Sequence, residues 1–201
     1  PVCNTPLCLC AEYDDGTIIQ GESLIPVVDK KIKRVYYTSP DEPALDEAVE
    51  AIMEADLVLL GPGSLYTSII PNLLLKQIAD AVVKTQAPCV YCCNIMTQPG
   101  ETTGFTASDH VIAIEEHVGY KFIDKIIVND ETVEDNTYER YCDQNADLVK
   151  VDESILNQMN IEVIKSRLVS YNEAGKVRHN TKKVAATIFS LLLDIEEQRE
   201  E

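Results

Sequence analysis

Two runs of this sequence concentrate glycine, hydroxyl and amide residues where a chain can grip a ligand. The first reads Gly61-Pro62-Gly63-Ser64-Leu65-Tyr66-Thr67-Ser68. Gly61 and Gly63 let the backbone approach a bound group closely, and successive N–H groups can curl into an anion-binding concavity. The hydroxyls of Ser64, Tyr66, Thr67 and Ser68 exceed what a simple turn needs. The run has no Gly-Lys-Ser/Thr of a P-loop, and Tyr66 stands where a dinucleotide fingerprint has its third glycine. The second run extends from Asn94 through Thr97, Gln98, Glu101, Thr102 and Thr103 to Gly104 and on to His110. Connections in α/β units usually take about 2–6 residues, so a loop of this length points to function. Ser108 is the expected N-cap of the helix that follows, and Asp109 suits its first turn. His110 is a candidate proton donor or acceptor; a local hydrogen bond is its plainer role.

Residues 61–75 and 85–111 contain no Lys or Arg. A phosphate held by these loops must therefore use backbone N–H groups, hydroxyls, a Mg²⁺ carried by carboxylates, or cations from elsewhere. Arg178-His179, just before the last helix, is one source, since arginine and the helix dipole would act together on an anion. Lys76 is the other. No catalytic constellation stands out. Gly-x-Ser-x-Gly and His-Glu-x-x-His are absent, and His110, His117 and His179 lack metal-ligand spacing. Cys89 and Cys92 form a Cys-x-x-Cys, but on a strand residues three apart face opposite ways, and no second pair completes a zinc site. Cys8 and Cys10 share a strand face without further ligands. Buried reduced thiols, and a reducing compartment, follow.

Alternating elements position these loops. Strands over residues 7–12 and 17–21 flank Tyr13-Asp14-Asp15-Gly16, where Asp-Gly suits a hairpin turn. A strand follows over 34–38, then a helix opening at Ser39-Pro40-Asp41-Glu42 with Ala44, Leu45, Ala48, Val49 and Ile52 on one face. Strands over 56–60, 88–93, 125–128, 148–151 and 162–164 alternate with helices over 71–84, 108–117 and 132–141. A last helix starts at Asn180 with Val184, Ala185, Ile188, Leu191 and Leu192 as its buried stripe. This pattern specifies an α/β fold, a Rossmann-like parallel sheet flanked by helices, with a β-hairpin at the start of the chain. Residues 1–195 read as one domain and 196–201 as an acidic tail. Such sheets bind ligands at the carboxyl ends of their strands, where both runs lie.

The formal net charge of −17 argues against nucleic acid, because phosphate neutralisation dominates that affinity. Clustered Lys30, Lys31, Lys33 and Arg34 read as a guarded strand edge. No apolar run is long enough to span a membrane, and the start shows no secretory signal.

The strings Gly61-Pro62-Gly63-Ser64-Leu65-Tyr66-Thr67-Ser68-Ile69-Ile70-Pro71-Asn72-Leu73-Leu74 and Cys93-Asn94-Ile95-Met96-Thr97-Gln98-Pro99-Gly100-Glu101-Thr102 resemble hallmarks of the gluconeogenesis factor family. Val177-Arg178-His179-Asn180 extends the likeness, which covers nearly the whole chain. The family is similar to the 2-phospho-lactate transferase that builds a deazaflavin coenzyme. The resemblance implies a cytoplasmic protein needed for growth and cell shape on gluconeogenic carbon. It also implies binding of UDP-sugars, notably UDP-N-acetylglucosamine, with protein partners in cell-wall synthesis. On that basis Tyr141 would meet the ligand and Arg178 its diphosphate. The resemblance favours a regulator without turnover. The alternative is a Mg²⁺-dependent 2-phospho-L-lactate-type transferase, though such enzymes carry Pro-Ser-Asn-Pro where this chain has Gly61-Pro62-Gly63-Ser64. The family's opening strand and glycine-rich turn do not occur in this sequence, so an amino-terminal portion is expected to be missing. A phosphate on Thr181, in the first turn of the last helix, would compete for Arg178.

Overall fold

A computed structural model of the protein describes residues 1–28 and 30–200. The chain opens with β1 (Leu9–Tyr13), β2 (Ile18–Gln20) and β3 (Ile32–Tyr37), an antiparallel sheet in the order β2-β1-β3. The expected turn joins β1 to β2, with the Gly16 N–H donating to the Tyr13 carbonyl at 2.9 Å. Helix α1 (Asp46–Met53) leads to β4 (Val58–Leu60). It begins later than Ser39 because Pro40 and Pro43 restrict the residues before them. The N–H groups of Ala44 and Leu45 are also engaged elsewhere, by Gln77 Oε1 and the Val2 carbonyl.

After β4 a π-helical turn (Leu65–Ile69) runs into α2 (Ile70–Leu73), and a break at Leu74 and Leu75 separates α3 (Lys76–Lys84). The single helix expected over 71–84 is thus divided, as Leu75 adopts an extended conformation before α3. Next come β5 (Cys89–Cys92), α4 (Ala107–Val118), β6 (Lys125–Asn129), α5 (Asp135–Cys142), α6 (Glu153–Gln158) and β7 (Glu162–Ser166). Strands β4-β5-β6-β7 form the parallel sheet in that order. The strand expected over 148–151 is instead two isolated bridges, Met96 to Leu148 and Thr106 to Lys150, which tie this segment to the long loop. A hairpin, β8 (Val169–Tyr171) with β9 (Val177–His179), precedes α7 (Thr181–Glu200). The acidic run from residue 196 continues this helix, and Glu201 lies outside the described residues.

Period-2 alternation builds the core on both faces of the parallel sheet. Cys89, Tyr91, Cys93, Ile126 and Val128 face one apolar cluster with α2, α3 and α4. Val90, Cys92 and Ile127 face the other, with Leu168, Val184 and Leu191. Cys89 and Cys92 therefore diverge as the spacing predicts, and all seven cysteines are free thiols. On α7, Val184 and Leu191 are buried and Ile188 half-buried, but Ala185 is exposed, because the contact stripe is narrower than expected. No helix among the described residues is long and apolar enough to cross a membrane.

Candidate functional site

Both loops leave the carboxyl ends of β4 and β5 and face each other. Gly61 lies so near the neighbouring strand that an added Cβ would stand 3.2 Å from the Cys92 carbonyl oxygen. Hydrogen bonds then lace the loops together. The Asn94 amide Nδ2 donates to Gln98 Oε1 at 3.1 Å, and Gln98 Nε2 donates to Ser64 Oγ at 2.9 Å. Glu101 acts as a strut: its buried carboxylate accepts the Tyr66 N–H at 3.0 Å and the Thr67 hydroxyl at 2.9 Å. Burial pushes the Glu101 carboxyl above its ordinary range, partly offset by these bonds. Thr97 is tied to Asp147 by two bonds, its N–H donating to the Asp147 carbonyl and its Oγ1 accepting the Asp147 N–H.

Between the loops, α5 and the β8–β9 hairpin opens a cleft of about 890 Å³. Gly63, Ser64, Asn94, Thr97 and Gln98 line one side. Tyr141 and Arg178 line the other, and the first residue of α7, Thr181, also faces in. Asn180 caps that helix, accepting the Lys183 N–H on its side chain, so its positive end adds to the local potential. Tyr141 has a structural bond as well, its hydroxyl oxygen accepting the Val177 N–H at 3.0 Å. Four expected residues lie outside the cleft. Gly61 does not line it but lies against Ile69 and the Cys92 carbonyl, and Ser68 is on the exposed side of the π-helical turn. Tyr66 is buried, its ring set edgewise on Phe105 and His117, while Thr67 is held by Glu101. The wide π-turn swings these two side chains into the core.

Charge in the cleft runs against the rest of the molecule. The sequence has 34 acidic and 17 basic residues, yet among the described residues no Asp or Glu lines this space, while Arg140, Lys176 and Arg178 do. Arg140 is fixed by donating to Thr137 Oγ1 and the Gly175 carbonyl. Lys176 and Arg140 escape a reading of the two loops because they arrive from elements far along the chain. Lys176 stands two residues before Arg178, and Arg140 directly precedes Tyr141, which are the signals that mark them. Lys76, the other expected cation, is not there; it pairs with Asp80 on the surface of α3. No group of three or more His, Cys, Asp or Glu among the described residues is arranged to hold a metal ion. The cleft's own walls offer no carboxylate to Mg²⁺, so the ion fits here only as a companion of an anionic ligand.

The helix α4 is capped by Thr106, not Ser108: Thr106 Oγ1 and Asp109 form a reciprocal capping box. Ser108 instead donates both its N–H and its hydroxyl to Asp152. His110 is completely buried, with Nδ1 2.8 Å from the Thr106 carbonyl oxygen and Nε2 without a hydrogen-bond partner. It faces the core, away from the cleft. Burial holds His110, His117 and His179 all below the ordinary histidine range. In the unfolded chain they take up protons near pH 6.5, while the folded chain resists. The unfolded state thus binds more protons just below that pH, and stability falls as pH drops from about 6.5 until the folded histidines also charge. Urea midpoints are expected to decline from pH 7 to 5, with a shallower decline in His110→Gln. An unchanged slope in that variant would assign the loss to other groups.

Residues 1–169 match the family described as 2-phospho-L-lactate transferase CofD. Among characterised sequences, the chain is similar to the gluconeogenesis factor of Bacillus subtilis, 45% identical over 192 residues, covering 96% of this chain and 60% of the relative. It is likewise similar to the gluconeogenesis factor of Listeria monocytogenes, 44% identical over 192 residues, covering 96% and 58%. Its fold matches the crystal structure of a Bacillus halodurans protein with a TM-score of 0.89 at 44% identity, covering 94% of this chain and 60% of that one. The chain spans about three-fifths of the length of these relatives.

Proposed function

The chain belongs to the gluconeogenesis factor family, within the wider CofD family, and from that premise we propose that it binds a nucleotide-sugar as a regulator of carbon metabolism. The cationic cleft in an otherwise acidic protein carries this reading. Three basic side chains with no acidic neighbour in the wall suit a diphosphate, and arginine gives a bidentate contact with it. Gly63 admits the ligand near the backbone, Ser64, Asn94 and Gln98 form a hydrogen-bonding rim, and Tyr141 presents a rigid ring edge. Thr97 Oγ1 accepts the Asp147 N–H, which fixes the side chain and leaves its O–H proton to donate. Gly61, Tyr66, Thr67 and Ser68 act at one remove, by setting the position of the loop.

UDP-N-acetylglucosamine is the proposed ligand, and the setting is cytosolic control of cell shape and wall synthesis through protein partners. The family match also sustains a transferase reading in which the same cationic cleft accepts the phosphorus-containing group of a deazaflavin precursor. Calorimetric titration with UDP-N-acetylglucosamine, with and without Mg²⁺, separates the two. Saturable binding without turnover supports the regulator. Absence of binding, with transfer of a 2-phospho-L-lactyl group in its place, would overturn it.

A further inference from the structure

Of the three histidines, His179 alone lines the cleft, at the end of β9. It directly follows Arg178, and its ring reaches the end of β5, with Nε2 3.0 Å from the Cys93 carbonyl oxygen. Asn94, the residue after Cys93, belongs to the rim of the same cleft. His179 therefore stands where the two walls meet.

A carbonyl oxygen can only accept, so Nε2 carries the hydrogen of this bond and the neutral ring keeps a lone pair on Nδ1. Nδ1 has no hydrogen-bond partner among the described residues. Nor is it one of their buried unpaired polar atoms, which are the Tyr91 hydroxyl, Asn94 Oδ1 and His110 Nε2. It thus keeps surface that a ligand in the cleft can touch. Protonation would add a donor at Nδ1 and remove nothing at Nε2, because an imidazolium donates from both nitrogens. Burial opposes that charge and holds the ring neutral near pH 7, while the bond to Cys93 works the other way. The charged groups that share the cleft with it are all basic, Arg140 from α5 and Lys176 and Arg178 from the hairpin. From β5, burial pushes the Cys93 thiol up to about 12, so it stays uncharged, and α7 presents its positive end. Nothing in the free protein compensates an imidazolium, whereas a bound anion would.

Resting on the cleft reading above, we propose that His179 is a conditional fourth cation of the cleft: as the diphosphate binds, Nδ1 takes a proton from solvent and donates it to a phosphate oxygen. Nε2 keeps its bond to Cys93, and no covalent bond changes except the new N–H. The free protein avoids a further positive charge beside Arg178. The complex gains a charge-assisted hydrogen bond, roughly twice as strong as a neutral one. Because the ligand raises the proton affinity of Nδ1, binding is tightest below the pH at which free His179 titrates. It weakens as pH rises through the titration of the bound form. Each pKa unit between the two forms is tenfold in affinity. The phosphates of a nucleotide-sugar are fully ionised throughout this range, so the ligand contributes no proton.

Calorimetry with UDP-N-acetylglucosamine, in buffers of differing ionisation enthalpy, counts the protons taken up. Near neutral pH the unmodified chain is expected to show net uptake, and its affinity should fall about tenfold from about pH 6 to about pH 8. His179→Gln can still donate from its amide to the Cys93 carbonyl. It should lose both the uptake and the pH dependence, binding about as the unmodified chain does at high pH. A measurement that needs no variant is the imidazole titration of His179 by NMR, expected at higher pH with the ligand than without. Binding without proton uptake, uptake that persists in His179→Gln, or an unmoved His179 titration would overturn the proposal and leave the cleft reading standing. Failure of the unmodified chain to bind at any pH would overturn the cleft reading, and this one with it.

Discussion

Replacing Arg178 with alanine is expected to weaken UDP-N-acetylglucosamine binding about 10- to 100-fold while changing thermal stability little. The side chain is exposed on β9, and its one intramolecular hydrogen bond goes to the carbonyl of adjacent Val177, at 2.8 Å. Most of the guanidinium's five donors are therefore free for a ligand. Hydrogen bonds to charged groups contribute about 1.5–3 kcal/mol, and each 1.4 kcal/mol is tenfold in affinity. An exposed side chain away from the core shifts stability by only about 0.5 kcal/mol. Arg178→Lys should recover part of the affinity, because an ammonium keeps the charge and loses the planar fork. Wild-type affinity should fall with added salt, and the variant should show a weaker dependence. Unchanged binding in Arg178→Ala would place the anion elsewhere in the cleft.

Period and turn chemistry made much of the scaffold legible. The order of strands and helices announced a parallel sheet flanked by helices, and Asp15-Gly16 announced the first turn. Misreadings arose where distant partners took over local signals. Residues 148–151 have strand composition, but they run beside the long loop as isolated bridges rather than joining the sheet. Ser108 has the chemistry of an N-cap, yet Asp152, 44 residues later, claims it and leaves Thr106 to cap. The hairpin β8–β9 and helix α6 passed unread, since both are short and sit between stronger patterns.

For the site, the loops were legible as loops, but which side chains face the cleft was not. A run of hydroxyls looks uniform in sequence. In space the π-turn sends Tyr66 and Thr67 into the core, Ser68 to the outside and Ser64 to the cleft. The cations were found only in part. Residues 61–75 and 85–111 contain none, and Arg178 was foreseen by its place before α7. Arg140 and Lys176 depend on how α5 and the hairpin dock across the strand ends, a non-local fact that no spacing expresses.

Gly100→Ala is expected to be the most destabilising of the small substitutions in the long loop, by about 2–4 kcal/mol, with ligand affinity lost alongside. Gly100 has a φ of +79°, and an added Cβ would stand 2.2 Å from the Pro26 carbonyl oxygen and 2.8 Å from its carbon. Both are backbone atoms, so no side chain can rotate away and the loop itself must move. The left-handed conformation alone costs a non-glycine residue about 1–2 kcal/mol; the clash adds to it. For a chain of this length each kcal/mol lowers the melting temperature by about 2–4 °C, giving an expected fall of roughly 5–15 °C. Gly104→Ala supplies the control. Its φ is +75°, and nothing stands within 4 Å of the added Cβ, so only the conformational cost applies. Melting curves should separate the two variants. The loop carries Gln98 and Glu101, which join the rim of the cleft to Ser64 and the π-turn, and Thr97, which ties it to Asp147, so displacement at Gly100 should weaken UDP-N-acetylglucosamine as well. Similar melting temperatures for both variants would show that the seat of Gly100 on Pro26 yields readily. The loop would then be held mainly by Glu101, the one residue in it that bonds both the Tyr66 N–H and the Thr67 hydroxyl.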